Sequence, residues 1–94
     1  MNLNDYQQKA VGTLGPDRDI LLLTLGVCGE AGEVAELIKK GHRPGKVVDK
    51  VHLKEELGDV LWYISVLADT YGIPLETVAK DNISKLEERY PKGT

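Results

Sequence analysis

Hydrophobic residues recur every three or four positions through four segments of this chain, separated by glycine- and proline-containing breaks. This period predicts helices, and the period-2 alternation of strands is absent. The expected class is all-α, a small four-helix-type bundle built on a long antiparallel helical hairpin. The predicted helices run from Leu3 or Asn4 to about Thr13, from just after Asp17 or Asp19 to Lys40, from Asp49 to Tyr71, and from about Pro74 to Arg89 or Tyr90.

Residues with a preference for helix ends support these boundaries. Asn2 and Asp49 precede the first and third segments, where a side-chain oxygen can accept from free backbone N–H groups. Gly41 and Gly72 follow the second and third segments, at the position that commonly takes a left-handed conformation. Pro91 then limits the fourth helix.

Two pairs of acidic residues flank the turn at residues 41–45. Glu30 and Glu33 precede the turn, and Glu56 and Asp59 follow it, each pair with i, i+3 spacing. Such spacing places both members of a pair on one helix face. Because the two pairs are equidistant from the middle of the turn, an antiparallel hairpin brings all four carboxylates together.

Clustered carboxylates repel one another unless a cation lies among them. Glu30 lies inside the apolar stripe of the second helix, and Glu33 lies at its edge. A set of oxygen donors without His or Cys favours Mg²⁺, with Mn²⁺ as a possible substitute, over Zn²⁺. Solvated or salt-bridged acidic helix faces are the alternative. His42 and His52 are further metal candidates, but we expect both mainly at the surface.

Composition narrows the class of protein. Ninety-four residues predict one domain, residues 1–94. A net charge of −3 argues against a general nucleic-acid binder. We expect no membrane span and no signal peptide, because no apolar run is long enough. The single cysteine, Cys28, fits a reducing cytoplasm and is expected to be a small buried filler.

Several residues have two open interpretations. Gly26, Gly29 and Gly32 recur within the second helix, either for close helix contact or to leave room for a ligand. Trp62 and Val66 lie off the main stripe of the third helix and meet either another subunit or the first helix. The fourth helix has an expected core stripe formed by Leu75, Val78, Ala79, Ile83 and Leu86.

Three stretches together resemble the MazG-like nucleotide pyrophosphohydrolases. They are GEAGEVAE at residues 29–36, KEELGDVLWY at residues 54–63 and NISKLEERYP at residues 82–91. The resemblance extends from about Tyr6 to Gly93. Four acidic residues alone would be a weak motif, and the third stretch makes the match to the family more specific. Tyr6 and Gln7 match an early Tyr-Gln of that family, a possible pocket edge, although a core aromatic is the simpler interpretation of Tyr6.

The resemblance implies hydrolysis of a nucleoside triphosphate, NTP or dNTP, to the nucleoside monophosphate and pyrophosphate. Mg²⁺ would be held by Glu30, Glu33, Glu56 and Asp59. Glu33 or Glu56 would be the general base that deprotonates the attacking water. The substrate phosphates would meet Lys54, Asn82, Lys85 and, with less support, Arg89. A homodimer or homotetramer is implied. The alternative function is that of a non-catalytic module that binds nucleotide or metal and serves as a regulator or an assembly partner.

Overall fold

Four helices form the structure, a computed structural model that describes residues 1–16 and 18–93. They are α1 (Leu3–Gly12), α2 (Ile20–Gly41), α3 (Lys50–Thr70) and α4 (Leu75–Arg89). Within the described ranges no strand occurs, so the all-α prediction is confirmed. The predicted ends agree to within about two residues. The alternative start of α2 after Asp17 lies outside the described residues.

Side-chain caps fix where the helices begin. Asn2 Oδ1 accepts from the Asp5 backbone N–H at 2.8 Å, and the Asp5 carboxylate accepts from the Asn2 N–H at 3.3 Å, forming a capping box. Asp19 and Asp49 each accept two N–H groups from the first turns of α2 and α3. These caps satisfy donors that the helices leave free, as the sequence predicted for Asn2 and Asp49.

The two predicted glycine stops behave differently. Gly72 has φ +69°, and the Ile73 and Gly72 N–H groups donate to the carbonyls of Ala68 and Asp69 in a Schellman arrangement. Gly41 instead remains in α2, which ends on a right-handed His42, so the prediction for Gly41 was wrong. A Cβ on Gly41 would lie 2.7 Å from the Val48 Cα, because the returning chain passes directly against it.

Helices α2 and α3 pack along their length as the predicted antiparallel hairpin. Gly26 faces Tyr63 near one end, and Gly41 faces Val48 near the turn. The turn contains Gly45 with φ +77°, a left-handed conformation that glycine adopts without strain. The hairpin therefore places the two acid-bearing segments at the same level.

Helix α1 covers the carboxyl-terminal half of α3. Ala10 joins Leu23 and Val66 in the buried core, and Val66 is fully enclosed. Trp62 Nε1–H donates to Thr13 Oγ1 at 2.8 Å. Of the two interpretations of Trp62 and Val66, contact with the first helix is therefore the one the structure supports.

Gln7 joins α1 to the start of α4. Its buried amide Nε2–H donates to the carbonyls of Ser65 at 3.1 Å and Ile73 at 2.9 Å. Its Oε1 accepts from the Leu75 N–H at 2.9 Å. A buried amide with all these partners stabilises the junction, because each would otherwise be left without a hydrogen bond. Gln7 thus has a structural role at this junction.

Most of α4 extends away from the bundle. It contacts α1 and α3 but, among the described residues, not α2. Leu75 is buried and Ala79 is half-buried, whereas Val78, Ile83 and Leu86 are exposed, so the predicted core stripe was wrong for these three residues. An amphipathic pattern identifies an apolar face but does not say which surface covers it.

Two other features bear on the expectations. Cys28 is exposed, so the prediction of a buried filler was wrong. Arg18 Nη1 lies 2.8 Å from Asp69 Oδ2 and holds the connection between α1 and α2 against the end of α3. Within the part of the chain that is described, no helix has both the length and the hydropathy to cross a bilayer.

Candidate metal centre and active site

Three of the four predicted acids meet between α2 and α3. One carboxylate oxygen each from Glu30, Glu56 and Asp59 lies within 4.8 Å of the other two. Glu30 and Glu56 are half-buried, and Asp59 is exposed. The i, i+3 spacing on α3 and the hairpin register produce this arrangement. Three hard oxygen donors at this separation fit a divalent cation such as Mg²⁺.

Electrostatic repulsion within this acidic group raises the energy of the ionised state. Desolvation, then the charge of Asp59, then a hydrogen bond with Glu56 and its charge raise the pKa of Glu30 above its usual value. The charge of Glu33 contributes least. A bound cation would reverse this effect, because it favours ionised carboxylates. The three carboxylate oxygens and the repulsion between their charges are therefore both consistent with a bound metal ion.

Glu33 stands outside the three-carboxylate group. It is exposed, one helical turn beyond Glu30. Its side chain remains near enough to act on Glu30 through charge, but it is not one of the oxygens gathered within 4.8 Å. The structure thus separates one predicted ligand from the other three.

His52 contacts the carboxylate of Glu56. Its Nε2 lies 3.1 Å from Glu56 Oε1, one turn earlier on α3, and its side chain is half exposed. The sequence had placed His52 mainly at the surface as an alternative ligand. In the structure it contacts a predicted ligand directly and orients that carboxylate.

Three aromatic residues surround the acidic group. Burial, and then the charge of nearby Asp59, raise the pKa of Tyr6. Trp62 and Tyr63 stack edge to face with ring centroids 4.9 Å apart. The sequence offered Tyr6 as a possible pocket edge but did not assign Trp62 and Tyr63 to the site. These two rings follow Asp59 by one helical turn, the signal that could have identified them.

Two cavities share the Trp62 and Tyr63 rings. One, of about 340 Å³, is lined by these rings together with Glu30 and Asp59. The other cavity, of about 550 Å³, is lined by the same two rings together with Leu14, Asp19, Leu22 and Leu23. An acidic cavity beside an apolar one suits a ligand with a charged, metal-binding end and a flat, less polar end.

Among the described residues, the predicted phosphate-binding residues form no ion pair with the acidic group. Lys54 precedes Glu56 by two positions, which on a helix places it on roughly the opposite side of α3. Asn82, Lys85 and Arg89 are all exposed on α4. In the described part of the chain, none of the three cations forms an ion pair. Their proposed roles remain predictions.

The glycines of α2 divide between the two interpretations given above. A Cβ on Gly26 would overlap the Tyr63 ring, so Gly26 permits close helix contact beside the site. A Cβ on Gly29 or on Gly32 would meet no atom within 4 Å. Close packing therefore explains the first glycine only.

Comparison with known proteins agrees with this geometry. The model of the MazG nucleotide pyrophosphohydrolase domain matches residues 18–94. The chain belongs to this family. It is 40% identical over 75 residues to the Gene 37 protein of Mycobacterium phage L5, covering 76% of the chain and 66% of that protein.

Two further relatives extend the comparison. The chain is 39% identical over 70 residues to the uncharacterized protein YvdC of Bacillus subtilis (strain 168), covering 65% of the chain and 66% of that protein. It thus spans about two thirds (66%) of the length of each of these curated relatives. A crystal structure of iMazG from Vibrio DAT 722 superposes with a TM-score of 0.72 at 26% identity, covering 96% of this chain and 98% of that one.

Proposed function

We propose that this protein hydrolyses nucleoside triphosphates to the nucleoside monophosphate and pyrophosphate in the presence of Mg²⁺. The observation that carries the proposal is the three-carboxylate group, Glu30, Glu56 and Asp59, at the edge of an aromatic-lined cavity. Membership of the MazG nucleotide pyrophosphohydrolase family supports it. Mn²⁺ is a possible substitute, because it takes the same oxygen donors.

Each part of the site has a role in this proposal. Glu30, Glu56 and Asp59 would hold the metal, which offsets the negative charge of the phosphate oxygens. His52 would keep Glu56 oriented, since its ring nitrogen lies 3.1 Å from that carboxylate. The stacked Trp62 and Tyr63 rings would contact the nucleoside, because aromatic faces stack on bases.

Glu33 and Glu56 were both candidates for the general base. The geometry favours Glu33, because Glu56 already contacts His52 and belongs to the three-carboxylate group. An exposed carboxylate next to a metal site can orient a water and accept its proton. In this proposal Glu33 accepts the proton of the water that attacks the phosphate.

The cations and the assembly complete the proposal. Lys54, Asn82, Lys85 and Arg89 remain the predicted contacts for the phosphates. We propose a homodimer or homotetramer, and a reducing cytoplasm as the compartment, from the unpaired Cys28.

The test is a panel of ordinary and modified nucleoside triphosphates incubated with Mg²⁺, with Mn²⁺ and with EDTA. We expect many equivalents of pyrophosphate per chain with a metal and none with EDTA. Release of phosphate in place of pyrophosphate would contradict the cleavage position. Binding of nucleotide without turnover across the panel would favour the non-catalytic module.

A further inference from the structure

The imidazole of His52 is held beside the acidic group by the local geometry of α3. Asp49 Oδ1 accepts from the His52 backbone N–H at 3.2 Å, so the cap of α3 fixes this residue in the first turn of the helix. Residues four positions apart are neighbours on a helix surface. His52 Nε2 accordingly lies 3.1 Å from Glu56 Oε1.

The hydrogen bond between His52 and an ionised Glu56 has only one possible direction. A carboxylate accepts hydrogen bonds and cannot donate them, so His52 Nε2 carries the hydrogen. The Glu56 side chain is 17% exposed and the His52 side chain 52% exposed, so the bond joins a largely buried carboxylate to a ring at the surface. One of the two Glu56 oxygens therefore already has a donor.

Glu56 differs in this respect from the other two acids of the group. Among the described residues, Glu30 and Asp59 accept no hydrogen bond from a side chain outside the three-carboxylate group, whereas Glu56 accepts one from His52. No outside side chain therefore restrains how Glu30 and Asp59 turn toward a cation. The orientation of Glu56 alone is fixed by a second residue.

Mg²⁺ and Ca²⁺ make different demands on a carboxylate. Mg²⁺ requires a near-octahedral set of ligands at about 2.0–2.1 Å, whereas Ca²⁺ takes about six to eight oxygens at about 2.3–2.6 Å and often uses both oxygens of one carboxylate. A Glu56 carboxylate with one oxygen held by His52 offers a cation its other oxygen alone. This geometry suits Mg²⁺ and withholds a ligand atom that Ca²⁺ would use.

We propose that His52 is a positioning residue that makes this site select Mg²⁺ over Ca²⁺, by restricting Glu56 to a single metal-binding oxygen. The inference rests on the metal site of the proposed function and adds the residue that determines which ion the site takes. His52 acts through Glu56 and does not itself bind the ion. Residues that orient a metal ligand typically change metal affinity by about 10- to 100-fold, so the effect is measurable.

Melting temperatures over concentration series of MgCl₂ and CaCl₂, without nucleotide, give the two dissociation constants. The wild type is expected to bind Mg²⁺ more tightly than Ca²⁺. His52→Ala should move the ratio of the two constants toward Ca²⁺ by at least about tenfold. His52→Gln should keep most of the wild-type ratio, because its amide can donate to a residue four positions on and carries no charge. The matched control is His42→Ala, at the exposed histidine of the turn, which should leave the ratio unchanged.

His52→Met separates the hydrogen bond from the bulk of the side chain. Methionine fills space and favours helices but has no donor, so this variant is expected to shift the ratio as His52→Ala does. Melts in EDTA show that each variant is folded, and His52→Met replaces His52→Ala if the latter is not.

The possible failures of this inference and of the proposed function are distinguishable. An unchanged ratio in the variants without a donor, with Mg²⁺ still bound, would overturn the role of His52 and leave the proposed function standing. Equal weakening of both ions would also overturn it, because that result identifies His52 as a ligand. A shift in His52→Gln as large as in His52→Ala would overturn it as well. A wild type that responds to neither ion would overturn the metal site and this inference together.

Discussion

The ring of Tyr63 occupies the space that a Cβ on Gly26 would need, so this glycine determines how closely α2 approaches α3 beside the acidic group. Tyr63 lines both cavities and packs against the core. A change at Gly26 therefore acts on packing and on the cavity wall together.

Gly26→Ala is expected to destabilise the protein although alanine favours helices. Displacing the Tyr63 ring costs about 1–3 kcal/mol, whereas the gain in helix propensity is about 1 kcal/mol. The control is Gly32→Ala, where a Cβ meets nothing within 4 Å and the propensity gain should prevail. Urea unfolding of both variants checks the prediction. Equal stabilisation by both would show that Tyr63 does not restrict Gly26.

Gln7→Ala is expected to lower the free energy of unfolding by about 2–5 kcal/mol. The variant leaves the carbonyls of Ser65 and Ile73 and the N–H of Leu75 without their buried partner. Gln8→Ala, at the exposed neighbour, should change stability by less than about 0.5 kcal/mol. A similar, small effect of both substitutions in denaturant unfolding would refute the structural role of Gln7.

Local sequence rules predicted the parts of the fold that depend on neighbouring residues. Asn2, Asp49 and Gly72 act within one or two turns of their own positions, and the structure confirms all three. The i, i+3 spacing and the turn likewise anticipated the meeting of Glu30 with Asp59. Such features follow from helix geometry alone.

Features that depend on distant or external contacts escaped prediction. The partners of Gln7 lie 58 to 68 residues away in the sequence, and no periodicity announces them. The stripe of α4 is apolar, yet Ile83 and Leu86 are exposed, because a pattern does not distinguish burial within a chain from burial between chains. Cys28 was expected to be a small buried filler, but it is exposed.

Mg²⁺ is expected to raise the melting temperature of the wild type. Binding to the folded state alone stabilises by mass action, about 2.7 kcal/mol at 100 times the dissociation constant. In EDTA, Glu30→Gln should melt at or above the wild-type temperature, since it removes one of the clustered charges. The variant should lose most of the Mg²⁺ response. Thermal melts of both proteins, with and without Mg²⁺, test this, and an equal Mg²⁺ shift in both would contradict Glu30 as a ligand.

Trp62 should report nucleotide binding through its fluorescence, because it is the only tryptophan and lines both cavities. Titration with a nucleoside monophosphate and Mg²⁺ is expected to quench the emission as the base stacks on the ring. Pyrophosphate, which has no base, should produce a much smaller change. Equal quenching by the two ligands would argue against nucleoside contact at Trp62.

The most direct test of the account is Mg²⁺-dependent pyrophosphate release by the wild type and by Glu56→Gln, with thermal melts of both in EDTA. Gln keeps the shape of Glu but loses the charge that binds Mg²⁺. We expect turnover to fall by at least about 100-fold, because a bound metal ion stabilises the transition-state charge by several kcal/mol. The melting temperature should hold or rise, because the exposed pair with His52 contributes less than about 1 kcal/mol. Full activity in the variant, or a melting temperature several degrees lower in EDTA, would contradict Glu56 as part of a metal-binding active site.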